Sequence, residues 1–373
     1  MYLKHFKCQG VRNLSTCQFD LSSQLNVFFG DNGAGKSSIL EAIGLVTSGR
    51  SFRTSRLEFV VNEAIDSFSV FAGSDDGQRF GLGYFKKDKK KAIKINGEVV
   101  NSLSKLTQYY PTQVLSPESY HLIDSGPGER RKYLDWCLFH VEHMFHPVWK
   151  SYSSILKQRN ALLRSAKGKL IPEIETQLDI WDKQLCEAAE AISEYRRDVL
   201  KQLSLALESI LQSLTVDFSK LISLEYYPGY SNDLKAKLLD NRLLDIKSGN
   251  TRAGPHKADL RIKIEGHLAK DYLSRGQKKV LINLLYLAQT LLLKNATGKD
   301  SLFIIDDFTS ELDNDNQQAL LTTLFQQENV QIIVSCLHLD SLNWLKTRYN
   351  MAHMFHVKHG TIEQFHNTSS EHS

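Results

Sequence analysis

LNVFFGDNGAGKSSILEAI, residues 25–43, is the stretch that decides the fold. An apolar run from Leu25 to Phe29 stops at a glycine, a short glycine-rich loop follows, and from Lys36 the spacing of Ile39, Leu40, Ala42 and Ile43 turns helical. Gly30, Asp31, Asn32, Gly33, Ala34, Gly35, Lys36 and Ser37 fit G-x-x-x-x-G-K-[ST], in the strand–loop–helix setting that the pattern needs. Glycines let successive backbone N–H groups converge on a phosphate at a helix N-terminus. Lys36 then reaches the β- and γ-phosphates, and the Ser37 hydroxyl becomes a ligand for Mg²⁺. The loop, with Ser38 behind it, reads as a cradle for ATP.

A second half-site lies far along the chain. Leu302 to Ile305 is an apolar strand delivering two carboxylates, Asp306 and Asp307, at its C-terminal end. That end is where an α/β sheet holds its ligands. Asp306 is expected to hold the Mg²⁺, and Asp307 to orient or polarise the attacking water.

Between these points the texture changes twice. Residues 66–100 alternate as strands, with Asn96-Gly97 a hairpin turn. Lys86, Lys87, Lys89, Lys90 and Lys91, with Lys94 close behind, fall on a hairpin tip and suit sequence-neutral contact with nucleic-acid phosphates. Residues 128–165 and 173–214 read as helices interrupted at Pro147 and around Pro172. In the second, Leu178, Leu185, Ile192, Val199, Leu203, Leu207 and Ile210 form one apolar stripe. Strand texture returns at 258–264. The expected division is 1–110, a helical arm 111–250, and 251–373.

Composition excludes several classes. The chain has 373 residues, a net charge of +4 and five scattered cysteines without a CxxC pair. A disulfide framework or thiolate zinc site is excluded, and a reducing compartment is implied. The N-terminus lacks a signal-peptide pattern, and the apolar run Val280 to Leu293 is too short to span a bilayer, so a cytoplasmic protein without a membrane role is expected.

Leu273, Ser274, Arg275, Gly276 and Gln277 resemble the LSGGQ signature of ATP-binding-cassette ATPases, and residues 310–313 resemble their D-loop. A cassette split by a helical arm is similar to the heads of structural-maintenance-of-chromosomes relatives. With so short an arm, the chain resembles the RecF family. The strings that carry this are Gly10 to Leu14, Gly49 to Arg53, Ser116 to Glu118, Pro127 to Asp135, Lys157 to Asn160 and Gly254 to Asp259.

The resemblance implies an α/β fold, an ABC-type ATPase head (P-loop NTPase, mixed sheet with flanking helices) interrupted by an arm. It implies that Ser274, Gly276 and Gln277 bind the ATP held by a second copy, giving an ATP-dependent homodimer. Gln113 takes the place of the Q-loop glutamine that senses Mg²⁺ and water. Arg130 and Arg131 become candidates for DNA contact, the alternative being that they brace the arm. Family partners are single- and double-stranded DNA, RecR and RecO, in recombinational repair, replication and the SOS response. Two departures stand out. Asp307 occupies a position where cassette ATPases carry Glu, consistent with slow hydrolysis, and His338 comes two residues late for a switch histidine. Competing readings are a transporter ATPase subunit and a scaffold that binds ATP without turnover.

Overall fold

The computed structural model describes residues 1–213, 221–231, 233–311, 314–327, 330–338 and 352–365. The chain opens with β1 (Leu3–Gln9), β2 (Cys17–Asp20) and β3 (Leu25–Phe29), and the glycine loop leads into α1 (Lys36–Ser48). Strands β4 (Ser67–Ser74), β5 (Arg79–Phe85), β6 (Lys90–Ile95) and β7 (Glu98–Val99) precede α2 (Leu103–Tyr109) and β8 (Thr112–Leu115). Next come α3 (His121–Asp124), α4 (Pro127–Val141), α5 (Phe145–Ser165), α6 (Pro172–Ser213), β9 (Ile222–Tyr227) and α7 (Leu234–Ser248). They are followed by β10 (Asp259–Ile264), β11 (His267–Leu268), α8 (Ala269–Tyr272) and α9 (Arg275–Thr297). The chain continues through β12 (Ser301–Ile305), α10 (Phe308–Glu311), α11 (Asn314–Gln326), β13 (Val330–Cys336), β14 (Ala352–Lys358) and β15 (Thr361–Phe365). Met1–Tyr120 and Arg275–Ser373 belong to one compact unit, His121–Ser213 and Asp217–Ser274 to another.

The first unit holds two six-stranded sheets, ordered β2-β1-β4-β5-β6-β7 and β15-β14-β3-β13-β12-β8. The former is antiparallel throughout. In the latter, β14, β3, β13, β12 and β8 run parallel, and β15 is the antiparallel edge. Every residue of β12 and β13 is buried, which is why both are predominantly apolar instead of alternating, with Ser301, Gln331 and Ser335 the buried polar exceptions. Helix α1 is apolar on nearly all sides because it packs on both sheets, against β4 and β5 of one and β13 and β8 of the other.

In the second unit α6 runs 42 residues, and its stripe from Leu178 to Ile210 is buried. It packs on α4 and α5, which bury Tyr133, Leu134, Leu138, Tyr152 and Leu163. Pro147 does not break the helix there; it sits in the first turn of α5, where its missing N–H has no partner to lose.

The boundaries differ from the expected 111 and 250. Strand β8 pairs with β12, so the first unit runs to residue 120. Strands β9, β10 and β11 form a separate antiparallel sheet, so residues 251–274 belong with the arm helices. Helix α9 is also longer than its apolar core, at 23 residues. By length and composition it is able to cross a membrane, but most of its apolar window is buried, as in a core helix.

Candidate active site

The phosphate loop leaves β3 and enters α1 through three glycines with positive φ: Gly30 at 146°, Gly33 at 78° and Gly35 at 115°. At Gly30 a Cβ would also lie 2.2 Å from the Val357 carbonyl oxygen, so both conformation and space demand glycine. The Lys36 ammonium turns back over the loop and donates to the carbonyls of Gly30 (2.6 Å) and Asp31 (2.9 Å). Asn13 fixes the loop from outside: its amide donates to the Gly33 carbonyl (3.1 Å) and it accepts from the Ser38 hydroxyl (2.9 Å).

Sheet order brings the second half-site to the first. Strand β13 lies between β3 and β12, so its C-terminal Ser335 stands between the loop and the two aspartates. The Ser37 hydroxyl donates to Asp306 Oδ1 at 2.9 Å, the Ser335 hydroxyl donates to the same oxygen at 2.8 Å, and Asp307 N–H donates to Ser335 Oγ at 2.8 Å. Burial pushes the Asp306 carboxyl up from its ordinary value, against the two hydroxyl hydrogen bonds and Arg53, which pull it down. Asp307 holds φ at 58°, a left-handed conformation that turns the chain sharply after β12.

These groups line a cleft of about 900 Å³. Its walls include Arg12, Arg53, Asn62, Glu63, Pro117 and Glu118. Arg12 grips the fully buried Glu41 of α1 with two hydrogen bonds, 2.9 and 3.0 Å. Arg53 stands 3.6 Å from the same carboxylate, and the Ser51 hydroxyl donates to it. The donor set suits Mg²⁺: one hydroxyl and one buried carboxylate share a hydrogen bond at the loop mouth, and that ion commonly takes its remaining ligands from phosphates and water.

The other predicted residues fall elsewhere. Gln113 does not line the cleft. It is buried on β8, donating to Gln289 (3.1 Å) and accepting from the Thr290 hydroxyl (2.7 Å), both on α9. In this arrangement its amide ties β8 to α9. Ser274 and Gly276 are exposed where α9 begins, with Gln277 half-buried, and none of the three lines the cleft. Of the D-loop, Leu312 and Asp313 lie outside the described residues. His338 is exposed, and Ser335 holds the place beside the aspartates.

The lysine run does sit at a hairpin tip, between β5 and β6, and Lys86 to Lys91 are exposed. Lys91 is the exception in direction: it donates to the Gly49 carbonyl after α1 (3.3 Å), and burial, then Arg50, lowers its pKa. Arg130 and Arg131 have partners within their own unit. Arg130 forms a two-pronged pair with Asp259 of β10 (2.7 and 3.1 Å) and donates to the Ser125 carbonyl (2.6 Å). Arg131 donates to the Ala258 carbonyl at 2.7 Å. Arg130 is drawn onto β10 and Arg131 onto the residue just before it, and both brace α4.

Ser335, Asn13, Glu41 and Glu118 were not picked out individually from sequence. Asn13 and Glu118 sit in strings already noted for their family likeness, but Ser335 becomes visible only once β13 is seen to separate β3 from β12.

Phosphate loop, aspartate-ending neighbour strand and flanking antiparallel sheet together define an ATPase head of the ATP-binding-cassette class. Residues 2–363 match the family described as RecF/RecN/SMC N terminal domain. The chain is 36% identical to the DNA replication and repair protein RecF of Hahella chejuensis, covering 98% of this chain and 100% of that one. It is 37% identical to the protein of the same name from Psychromonas ingrahamii, over 97% and 99%. The chain belongs to the RecF family. A solved structure of the recombination mediator protein RecF with ATP, in the RecFOR pathway, superposes with a TM-score of 0.84 at 28% identity, covering 98% of each chain. An Smc head domain from Pyrococcus furiosus shares the fold at a TM-score of 0.56 and 14% identity, over 98% and 96%.

Proposed function

We propose that this chain is an ATP-binding protein of DNA repair, replication and recombination that holds single- and double-stranded DNA at gaps and junctions. It dimerises on ATP, hydrolyses it slowly and helps load recombinase, with RecR and RecO as partners in the cytoplasm. The observation that carries the reading is the meeting of Ser37 and Asp306, 2.9 Å apart across 269 positions of sequence, at the mouth of a glycine phosphate loop.

Lys36, which here bonds two loop carbonyls, would reach the β- and γ-phosphates, and Ser37 with Asp306 would hold the Mg²⁺. When bound, the ion would neutralise charge on the phosphoryl oxygens. Asp307 orients the attacking water; as an aspartate it reaches less far than a glutamate, which favours slow turnover. Ser274, Gly276 and Gln277 close over the nucleotide of a second copy, where a helix N-terminus favours the γ-phosphate. Lys86, Lys87, Lys89 and Lys90 at the hairpin tip supply phosphate contacts that read no sequence.

The test is ATP turnover with and without DNA, in wild type and in Lys36→Met and Asp307→Ala. Slow turnover in wild type, lost in both variants, is expected. An Asp307→Ala variant as fast as wild type would remove that residue from the mechanism, and a wild type that neither binds ATP nor DNA would remove the reading.

A further inference from the structure

The antiparallel sheet of the first unit buries one face on α1 and leaves the other exposed. The register fixes what that open face carries. One row across it reads Gln18, Lys7, Phe71, Gly81, Lys94 and Val99. The next reads Gln9, Ser69, Gly83 and Ala92, and a third Ser67, Phe85 and Lys90. Phe71 is 40% and Phe85 53% exposed, large values for phenylalanines standing on a sheet.

Three features converge. The floor is low: serines, alanine and two mid-strand glycines separate the rings. The rim is cationic, with Lys7, Arg79, Lys90 and Lys94 on this face; its carboxylate is Asp20, at a corner and bonded to His5 (2.6 Å). The glycines have no internal reason to be glycines. A Cβ on Gly81 would meet nothing nearer than 3.9 Å, and one on Gly83 nothing nearer than 3.8 Å. A glycine inside a strand weakens the strand, and it marks either crowding from within or a close approach from outside. Here crowding is absent.

We propose that this open face is a platform for single-stranded DNA, an inference that rests on the DNA-binding reading above and extends it from the hairpin tip, with which it shares Lys90, across the sheet. Unpaired bases stack on Phe71 and Phe85, the bare backbone at Gly81 and Gly83 lets the strand lie close, and Lys7, Lys90 and Lys94 take the phosphates. Exposed aromatics among cations are the chemistry that single strands recognise, because every base has a stacking face. Lys7 and Lys94 lie three strand spacings apart, roughly 14 Å, wide enough for a single strand between them. Duplex DNA presents no free base faces and has no use for the rings.

The experiment is fluorescence anisotropy of the full chain, with and without Mg-ATP, using labelled oligothymidylate, an abasic oligonucleotide of equal length and a duplex. The variants are Phe71→Ser/Phe85→Ser and Gly81→Val/Gly83→Val, checked for folding by thermal unfolding and by ATP binding. Both are expected to weaken oligothymidylate binding roughly tenfold or more while leaving duplex affinity unchanged, and wild type is expected to prefer oligothymidylate to the abasic strand. The valine pair is expected to match or exceed wild type in thermal midpoint. Variants that bind oligothymidylate as tightly as wild type, or lose duplex binding in equal measure, overturn the platform and leave the DNA reading standing. A wild type that binds none of the three probes overturns both.

Discussion

Asp306 is a carboxylate held where burial disfavours its charge. Its pKa is raised by burial, so the folded chain binds the proton more tightly than the unfolded chain does. Ionised Asp306 therefore subtracts from stability as pH rises above the ordinary carboxylate range, and a neutral isostere relieves that. Asp306→Asn, which still accepts from Ser37 and Ser335, is expected to unfold at the same or a higher temperature without ligand. It is also expected to lose most of the stabilisation that Mg-ATP gives wild type. Thermal unfolding with and without Mg-ATP reads both, and an undiminished ligand shift in the variant would contradict the assignment. His256 has the opposite sign. Burial lowers its pKa from 6.5 to about 4, with Nε2–H donating to the Thr251 carbonyl (2.9 Å) and Nδ1 accepting from the Tyr152 hydroxyl (2.6 Å). Below pH 6.5 the unfolded chain gains a proton that the folded chain refuses, so stability falls with pH down to about 4, by up to about 3 kcal/mol. Urea unfolding at pH 7 and pH 5 is expected to show part of that loss in wild type and less in His256→Gln; equal pH dependence in the two would rule His256 out as the source.

At the scale of elements, α5, α6 and α7 are fastened by a buried ionic knot. Arg159 of α5 is fully buried and donates to Asp182 of α6 (2.6 Å), to Asp245 of α7 (2.8 Å) and to the Thr251 hydroxyl (2.8 Å). Arg242 of α7 reaches Asp179 (2.7 Å) and Asp182 (2.8 Å) on α6. Removing one partner strands the other charges in a dry interior, which costs about 3–5 kcal/mol, whereas removing the whole set together costs far less. Arg159→Met is thus expected to destabilise this unit strongly, and the triple Arg159→Met/Asp182→Asn/Asp245→Asn to recover part of the loss. Trp136, Trp149 and Trp181 lie in this unit, so tryptophan fluorescence during denaturation reports it; a loss below about 1 kcal/mol in the single variant would contradict the knot. The same residues mark what was legible beforehand. Phosphate loop, Asp306-Asp307 strand, lysine hairpin and arm stripe could be read because each is local: a turn chemistry, a run or a period within one element. Ser335 and the true partners of Gln113, Arg130 and Arg131 could not, because they depend on which strand lies beside which. Two adjacent arginines in a sequence show their charge but not the Asp259 carboxylate and Ala258 carbonyl waiting at the start of β10.

For the molecule as a whole, the decisive feature is that the signature-like residues Ser274, Gly276 and Gln277 are not among the described residues that line the cleft at the phosphate loop. The cleft is built from Lys36, Ser37, Asp306, Asp307 and Ser335, while Ser274 and Gly276 stand exposed at the start of α9. If the signature serves a nucleotide held by another copy, ATP is bound in full only by a pair, and binding is linked by mass action to association. Two substitutions then separate steps that a self-sufficient site would merge. Lys36→Met removes the charge on the phosphates and is expected to lose ATP binding and, with it, dimerisation. Ser274→Arg leaves the cleft intact and sets a long cation at the face that must close, so it is expected to bind ATP normally yet remain monomeric. Sedimentation velocity over a range of concentrations, with and without Mg-ATP and DNA, distinguishes them. A Ser274→Arg protein that dimerises as tightly as wild type would mean that the signature does not meet the second nucleotide. The exposed Ser274 would then be no more than the residue that precedes a buried helix.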